Sequence, residues 1–463
     1  MSFLSIGFVG FMLIIIVMNY LLPDKLRKYG LFVGSLFFYY VNASEFILLL
    51  IPICLITYLF GLIISKWRKP YIYIIGMISI LSFLICFKYS DGLIVPIGIS
   101  FMIFQAISYL GDVYNQKLDV EKNFVIVALQ VCFFANISAG PIQKARNFIP
   151  QLKTKVEVNY EHIRHGILLF VFGGLQKFYL SDKLEVIIQS MMENISDYEG
   201  FHYWFFAAIY AIYIYSNFNA YSDMAIGVAE ILGIHFSPNF KRPYLATSIK
   251  EFWQRWHISL NSWFVEYVYI PLGGSRKGKV RYYINVVIVF FLSGLWHGAG
   301  LHFIIWGLLN AFYQIIGDAT YKLRKKICDK LGVSENTPCV LLVKRIFVFY
   351  LISISWIFFA IKETKLAFDI VKSMLFPSIL TLYDEVIGRQ FESLASAIWI
   401  ILIILLFAYI QIKREKESVS LLIAKEPGLI RNVIYVTMFV FLVFGFVGTY
   451  TGYGAGGFIY ENF

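Results

Sequence analysis

Long apolar runs recur along the whole chain and are separated by short polar or basic stretches. A helix that spans a bilayer needs roughly 20 mainly apolar residues. Several runs are shorter, and we expect these to be re-entrant, tilted or interfacial. The pattern predicts an all-α polytopic membrane protein with about 10–11 transmembrane helices. The candidate spans are 3–22, 31–40, 46–64, 71–87, 93–110, 124–139, 163–180, 203–218, 222–234, 282–295, 301–316, 341–361, 398–412 and 433–447.

The composition agrees with a membrane protein and excludes several other classes. Of the 463 residues, 59% are apolar and 15% are charged, and the mean hydropathy is +0.70. A soluble domain is typically about 45–50% apolar and about 25% charged. We therefore exclude a typical cytosolic enzyme, a disordered chain and a secreted disulfide scaffold. Since no fixed-period repeat or low-complexity linker divides the sequence, we expect residues 1–463 to form one domain.

The basic residues lie in short clusters between the apolar runs. The chain has 40 Lys and Arg against 29 Asp and Glu, a net charge of +11. Clusters of this kind are typical of cytoplasmic loops, whereas a nucleic-acid-binding domain would gather its charge on one face. We interpret 3–22 as a retained spanning helix. Because the first basic cluster directly follows this helix and the last one precedes a single strong span, both termini are expected to be extracytoplasmic. The clusters are Lys25/Arg27/Lys28, Lys66/Arg68/Lys69, 276–281, 322–326 and 413–416.

The cysteines and most of the histidines carry no metal or redox signature. The five cysteines form no CxxC pair and no Cys/His ligand spacing. His162 and His165 share a helical face, but the neighbouring sequence offers no third ligand, so no metal site is predicted. His202 and His235 lie near predicted helix ends, where an exposed or satisfied histidine is the usual finding.

The segment 239–278 differs in kind from the rest of the chain. Its apolar pattern is broken, and Glu251, Arg255 and His257 stand among several tryptophans. Ionisable groups at membrane depth are costly and persist where they face a protein interior or a water-filled cavity. The segment is therefore either a re-entrant element that lines a site or an amphipathic interfacial helix with an aromatic belt.

A second unusual histidine, His297, lies between two strongly apolar runs in "FLSGLWHGAGLHFIIWG". A histidine can titrate near neutrality and take a proton from a hydroxyl. The alternative is a histidine that only forms a hydrogen bond between helices. We regard His297 and His257 as the two candidate functional histidines.

Several sequence blocks occur in a characteristic order along the chain. They are "VPIGISFMIFQAISYLGDVY" at 95–114, "SAGPIQ" at 138–143, "AYSDMAIGVAEILG" at 220–233, "YIPLGGSRKG" at 269–278, "SGLWHGAGLHFIIWGLL" at 293–309 and the aromatic end "FIYENF". Together they resemble the membrane-bound O-acyltransferase (MBOAT) family, and within it the alginate O-acetyltransferase-like branch. The most recognisable part of the chain is 95–318.

The resemblance implies a helical bundle around a central tunnel that is reached from both sides of the membrane. The family's signature histidine corresponds to His297, and its upstream histidine corresponds to His257. Members move an acyl group from a thioester to a hydroxyl or amine without a metal. The chain departs from the branch pattern at Ser216, Asn217, Asn219, Ala220 and Asn310, and these differences touch neither His257 nor His297.

These roles lead to a specific set of expected site residues. His297 is the expected general base, and His257 is expected to orient the acceptor or stabilise charge. Trp296 and Asn285 are expected to wall or polarise the tunnel. The segment "GGSRKGK" fits GxxxxGK, but Val280 replaces the Ser/Thr of a P-loop, so we reject nucleotide hydrolysis. Arg276 could instead meet donor phosphates at the cytoplasmic mouth, although we favour a plain positive-inside loop as the explanation of its charge.

The expected activity is O-acylation at a bacterial-type plasma membrane. Acetyl-CoA is the expected donor, with a carrier-protein thioester as the alternative, and no bound cofactor is expected. The expected acceptor is an extracytoplasmic polysaccharide such as alginate, peptidoglycan or cellulose, reached directly or through an extracytoplasmic acetyltransferase partner. The rival functions are a transporter or flippase for a polysaccharide or lipid-linked precursor, and a scaffold for a soluble transferase.

Overall fold

The computed structural model describes residues 1–90, 94–137, 140–375, 394–414 and 418–450. Its regular elements in these residues are helices, which confirms the predicted all-α class. The aromatic end 458–463 lies outside the described residues, as do parts of block 138–143 and of the basic cluster 413–416. The α-helices are α1 Ile6–Leu21, α2 Asp24–Ala43, α3 Ile47–Trp67, α4 Pro70–Tyr89, α5 Ile99–Tyr114, α6 Phe124–Cys132, α7 Ala145–Lys153, α8 Tyr160–Gln176, α9 Asp182–Glu193, α10 Phe201–Ile231, α11 Ile249–Arg255, α12 Ile258–Phe264, α13 Lys279–His297, α14 Leu301–Ala319, α15 Tyr321–Lys330, α16 Pro338–Ala360, α17 Thr364–Leu375, α18 Leu394–Lys413, α19 Val419–Ala424 and α20 Gly428–Tyr450.

Many of these helices are apolar enough to cross a bilayer. Among the described residues, five helical segments meet the requirement by length and composition, and one of them, Asp24–Trp67, joins α2 to α3. Three shorter apolar helices are Ile6–Leu21, Ile99–Tyr114 and Ala397–Lys413. The chain is therefore a multi-pass membrane protein. The number of crossings stays a prediction.

Helix α10 corrects one sequence expectation, because 203–218 and 222–234 are not separate spans. One continuous helix of 31 residues runs through the polar interruption. Its polar side chains form hydrogen bonds within the bundle. Asn219 Nδ2 donates to Gln176 Oε1 at 3.0 Å and to Asp223 Oδ2 at 3.1 Å. Asp223 in turn pairs with Arg414 at 2.6 Å. Polar residues that are paired within the bundle can therefore lie in a helix without ending it.

Helices α8 and α10 cross antiparallel with their backbones in close approach. A Cβ added at Gly166 would lie 2.6 Å from the carbonyl oxygen of Gly227, and one added at Gly227 would lie 2.5 Å from that of Gly166. Two turns further along, Gly173 meets the carbonyl of Ala220 in the same way, at 2.6 Å. Small residues allow helices to pack backbone to backbone, and this crossing fixes the register of the two helices.

Contacts at one end of the bundle bring two of the basic clusters together. Tyr73, near the start of α4, stacks on Tyr114 at the end of α5, with ring centroids 4.7 Å apart. Asp112, also in the last turn of α5, accepts a hydrogen bond of 2.8 Å from Tyr267. Tyr267 lies in the π-helical segment Val265–Tyr269, shortly before α13. The clusters Lys66/Arg68/Lys69 and 276–281 therefore share one side, which we call the basic face.

The opposite ends of α4 and α13 also meet, since the Tyr89 hydroxyl donates to the carbonyl of Leu295. Arg27 extends the basic face by donating to the carbonyls of Leu152 at 2.9 Å and Thr154 at 3.1 Å, at the end of α7. Three predicted cytoplasmic clusters thus lie on the same side, as the positive-inside rule requires. Which side of the membrane that face occupies stays a prediction.

Candidate active site

His297 is the last residue of α13 and is followed by Gly298. The helix is held tightly against α14, because a Cβ at Gly294 would lie 2.5 Å from the carbonyl oxygen of Phe303 and one at Gly307 would lie 2.3 Å from that of Phe290. This close packing brings the imidazole of His297 under the first turns of α14.

An aromatic shell surrounds the His297 ring. Its centroid is 5.1 Å from that of Trp306 and 4.8 Å from that of Phe359, both in edge-on arrangements, and 5.9 Å from that of Phe303. Only 4% of His297 is exposed. A ring in such surroundings has its orientation fixed by packing, which is what a catalytic proton acceptor requires.

His257 lies at the junction between α11 and α12 in the left-handed region, with φ at +42°. A residue with a side chain is uncommon there, and such strain clusters at functional sites. Asn239 holds the turn, because its carbonyl accepts a hydrogen bond of 2.9 Å from the N–H of Ile258. The ring packs edge-on against Phe218 at 4.7 Å, and His257 is 3% exposed.

One cavity of about 360 Å³ connects the two histidines. One wall is a single face of α13, with Tyr282, Val286, Val289, Ser293 and His297 at helical spacing. With a rise of about 1.5 Å per residue, this face is about 22 Å long. The cavity therefore extends from near the basic face to the aromatic shell of His297.

The opposite wall is built from segment 239–278, which the sequence predicts to be either a re-entrant element or an interfacial helix. Trp253, Trp256, His257 and Leu260 of this segment line the cavity, so it lines an internal site. None of the described residues that line the cavity is acidic or a cysteine, and two imidazoles alone are a poor set of ligands for a structural or catalytic metal.

The three other predicted site residues do not line the cavity. Trp296 is buried next to it, stacked on Phe104 at 5.6 Å. Asn285 is fully buried and donates a hydrogen bond of 2.9 Å to the carbonyl of Gly274, so it pins the turn before α13. Arg276 is exposed in that turn on the basic face. The roles given to these residues stay predictions.

Sequence reasoning missed two groups near His297. Lys88, at the end of α4, donates to the carbonyl of Trp296 and lies over its ring at 5.6 Å. A cation beside the carboxyl end of a helix is stabilising, so Lys88 caps α13 where His297 sits. Trp306 is 2% exposed and lines the cavity, and its indole N–H has no acceptor among the described residues. A lysine at the end of an apolar run was the available signal for Lys88, whereas nothing in the sequence singled out Trp306.

An ion network on the basic face holds the segment Val265–Tyr269, whose first and last residues also line the cavity. Glu266 binds both terminal nitrogens of Arg146 at 2.7 Å, Lys144 at 2.8 Å, and Lys117. Burial raises the pKa of the Glu266 carboxyl, but the hydrogen bonds from Arg146, Lys117 and Lys144 outweigh this and hold that pKa well below its usual range. The carboxylate is therefore charged at neutral pH.

Comparisons with known proteins place this architecture. Residues 122–361 match the family model for the membrane-bound O-acyltransferase family. The chain is 30% identical to the peptidoglycan O-acetyltransferase of Helicobacter pylori, over 81% of this chain and 78% of that protein. It is 35% identical to a probable alginate O-acetylase of Pseudomonas putida, over 59% of this chain and about half of the relative, 54%. It is also 28% identical to the teichoic acid D-alanyltransferase of Bacillus subtilis, over 51% and 62%.

The family model covers more than half of the chain, and the Helicobacter relative is matched over most of its length. His297, at the end of α13, lies within the matched region. The described residues that line the cavity, from Lys250 to Gln314, lie within it as well. The chain belongs to the membrane-bound O-acyltransferase family.

Proposed function

We propose that this protein is an O-acyltransferase that moves an acetyl group from a thioester donor towards hydroxyls of an extracytoplasmic polysaccharide. The single observation that carries the proposal is the buried cavity, which brings His297 and His257 together in a member of this family. A thioester is already activated, so the protein must align the acceptor, remove its proton and stabilise the oxyanion that develops.

The reaction uses His297 as general base. The acceptor hydroxyl loses its proton to a ring nitrogen of His297 as its oxygen attacks the thioester carbonyl. The tetrahedral intermediate then collapses, the carbon–sulfur bond breaks, and the thiolate takes the proton from the imidazolium. An ester and a free thiol result, and His297 is regenerated. His257 orients the acceptor, and the indole N–H of Trp306 stabilises the oxyanion; this role is supported by the position of Trp306 on the cavity and by its N–H having no acceptor among the described residues.

The shape of the cavity supports a long, thin donor. A face of about 22 Å along α13 suits an extended arm that ends in a thioester at His297. The end of the cavity near Tyr282 lies close to the turn that carries Arg276, Lys277 and Lys279. Coenzyme A has such an arm and carries phosphates, which arginine and lysine bind. We therefore propose acetyl-CoA, entering from the basic face, as the donor.

The acceptor is proposed from the relatives. Two of them are named for O-acetylation of alginate and of peptidoglycan, and both of these polymers offer sugar hydroxyls outside the plasma membrane. A bacterial plasma membrane location, with the basic face in the cytoplasm, would put donor and acceptor on opposite sides. An extracytoplasmic acetyltransferase partner could receive the acetyl group for final transfer.

The test compares wild type, His297→Gln and His302→Gln in inverted membrane vesicles supplied with radiolabelled acetyl-CoA. His302 is a matched control, because it is also buried, follows five residues later and bonds the carbonyl of Phe358 at 3.0 Å without lining the cavity. We expect thioester consumption in wild type and His302→Gln, and its loss in His297→Gln. Equal consumption in all three would remove His297 from the chemistry, and no consumption by folded wild type would favour a transporter.

A further inference from the structure

Three potential metal ligands meet on the basic face, away from the residues that line the His297 cavity. They are His162 in the first turn of α8, Glu230 in the last turn of α10, and His235 in the following loop. One ligand atom from each lies within 4.8 Å of the others. His235 Nδ1 is 2.7 Å from Glu230 Oε2, and the rings of His162 and His235 meet edge-on with centroids 4.9 Å apart.

The fold holds these residues together by specific contacts. The crossing at Gly166 and Gly227 sets α8 and α10 in a register that puts His162 level with Glu230. Gly233, with φ at +73°, turns the chain directly after α10. Gln151 then fixes the backbone of His235, accepting from its N–H at 2.7 Å and donating to its carbonyl at 3.2 Å.

The chemistry of the cluster fits a divalent transition metal better than an ion pair alone. Glu230 is 8% exposed, and among the ion pairs of the described residues it has His235 as its partner. An ion pair of Glu230 with His235 does not account for a second imidazole, that of His162, at the same place. Two imidazole nitrogens and one carboxylate oxygen are a common set of ligands for Zn²⁺, with water in the fourth position.

We infer that His162, Glu230 and His235 bind a Zn²⁺ ion that ties α8, α10 and the following loop together on the basic face. Zinc–ligand bonds of about 2.0–2.2 Å put tetrahedral ligand atoms about 3.3 Å apart. The ligand atoms now lie within 4.8 Å of one another, and the exposed side chain of His235 can rotate to bring them to the tetrahedral spacing. On binding, the metal takes the place of the hydrogen bond between His235 Nδ1 and Glu230 Oε2.

The test uses the full chain in detergent, stripped of metal with a chelator and dialysed against Zn²⁺. Zinc per chain is measured by inductively coupled plasma mass spectrometry. In a second sample Co²⁺ replaces Zn²⁺, and its visible absorption reports tetrahedral coordination. The variants are His162→Ala and His235→Ala. The matched control is His165→Ala, one turn further along α8, where the side chain bonds Ser420 at 2.8 Å instead.

We expect one Zn²⁺ per chain in wild type and in the control, and an affinity lower by at least about 100-fold in each ligand variant. Zn²⁺ should also raise the Tm of wild type and the control but not that of His235→Ala. His235 is exposed, so its variant should fold even if His162→Ala does not. Equal binding by wild type and His235→Ala, or no binding by wild type, would overturn the inference.

Discussion

The two histidine clusters of this protein have opposite surroundings. His257 and His297 lie among indole and phenyl rings on a cavity whose described lining residues include no carboxylate. His162 and His235 lie on the basic face beside the carboxylate of Glu230, and His235 is exposed. An imidazole without a carboxylate partner can accept and release a proton, whereas a carboxylate with two imidazoles can hold a metal. The residue type is the same, and the neighbours decide its use.

The largest expected effect is on acetyl transfer, when the cavity histidine His297 is substituted. His297→Gln should lower acetyl transfer by about 10²–10⁴-fold, the usual contribution of general base catalysis, and should leave zinc binding unchanged. Acetyl transfer from acetyl-CoA and zinc stoichiometry are measured on the same preparation. If both fall together, the two clusters are not independent and the comparison fails.

The next effect concerns the aromatic shell. Trp306→Phe keeps the ring but removes the indole N–H, and losing one oxyanion donor costs about 10²-fold in kcat. Trp356→Phe is the matched control, since Trp356 stacks on Trp306 at 5.9 Å and is equally buried but does not line the cavity. Steady-state kinetics should show a fall in kcat for the first variant alone. Equal losses would mean that the shell acts through packing.

A smaller effect is expected from the helix crossing that supports the metal cluster. Gly227→Ala forces its Cβ against the backbone of α8 and should destabilise the protein by about 1–3 kcal/mol, with weaker zinc binding. Gly317→Ala is the control, because a Cβ there meets open space in α14. Thermal unfolding in detergent should show a lower Tm for the first variant only. An unchanged Tm for Gly227→Ala would mean that the crossing can relax.

The smallest effect concerns the ion network that holds the cavity wall. Glu266→Gln should lower the unfolding free energy by about 2 kcal/mol, because it weakens several charged hydrogen bonds. The pKa of Glu266 is held below its usual range, so this contribution is present above about pH 4.3 and is lost as the pH falls through the lowered folded-state pKa.

The Tm difference between wild type and Glu266→Gln should therefore be constant near neutrality and shrink in acid. Glu335→Gln is the control, because Glu335 pairs with Lys344 in a more exposed position and such pairs contribute little. A Tm difference that persists at low pH would show that Glu266 acts by packing rather than by charge.

The sequence predicted what depends on local pattern. Hydropathy gave the helical class, and the blocks around His257 and His297 indicated both histidines before any geometry was known. It failed where pairing is distant: residues 219–221 were interpreted as a break between two spans, yet α10 is continuous there, with Asn219 bonded to Gln176 of α8 and Asp223 paired with Arg414. The cluster of His162 with Glu230 and His235 was missed for the same reason, since a third ligand was sought nearby in the sequence. Trp306 was missed because its significance comes from α13 packing against α14.

The face of α13 that lines the cavity limits how this chain can change in evolution. Since each residue turns an α-helix by about 100°, a single insertion between Tyr282 and His297 would rotate the histidine away from this face and leave the cavity without its base. An insertion of about seven residues, close to two full turns, would restore its direction but carry it about 10 Å too far along the helix axis. The spacing from Tyr282 to His297 should therefore tolerate substitutions but neither insertions nor deletions.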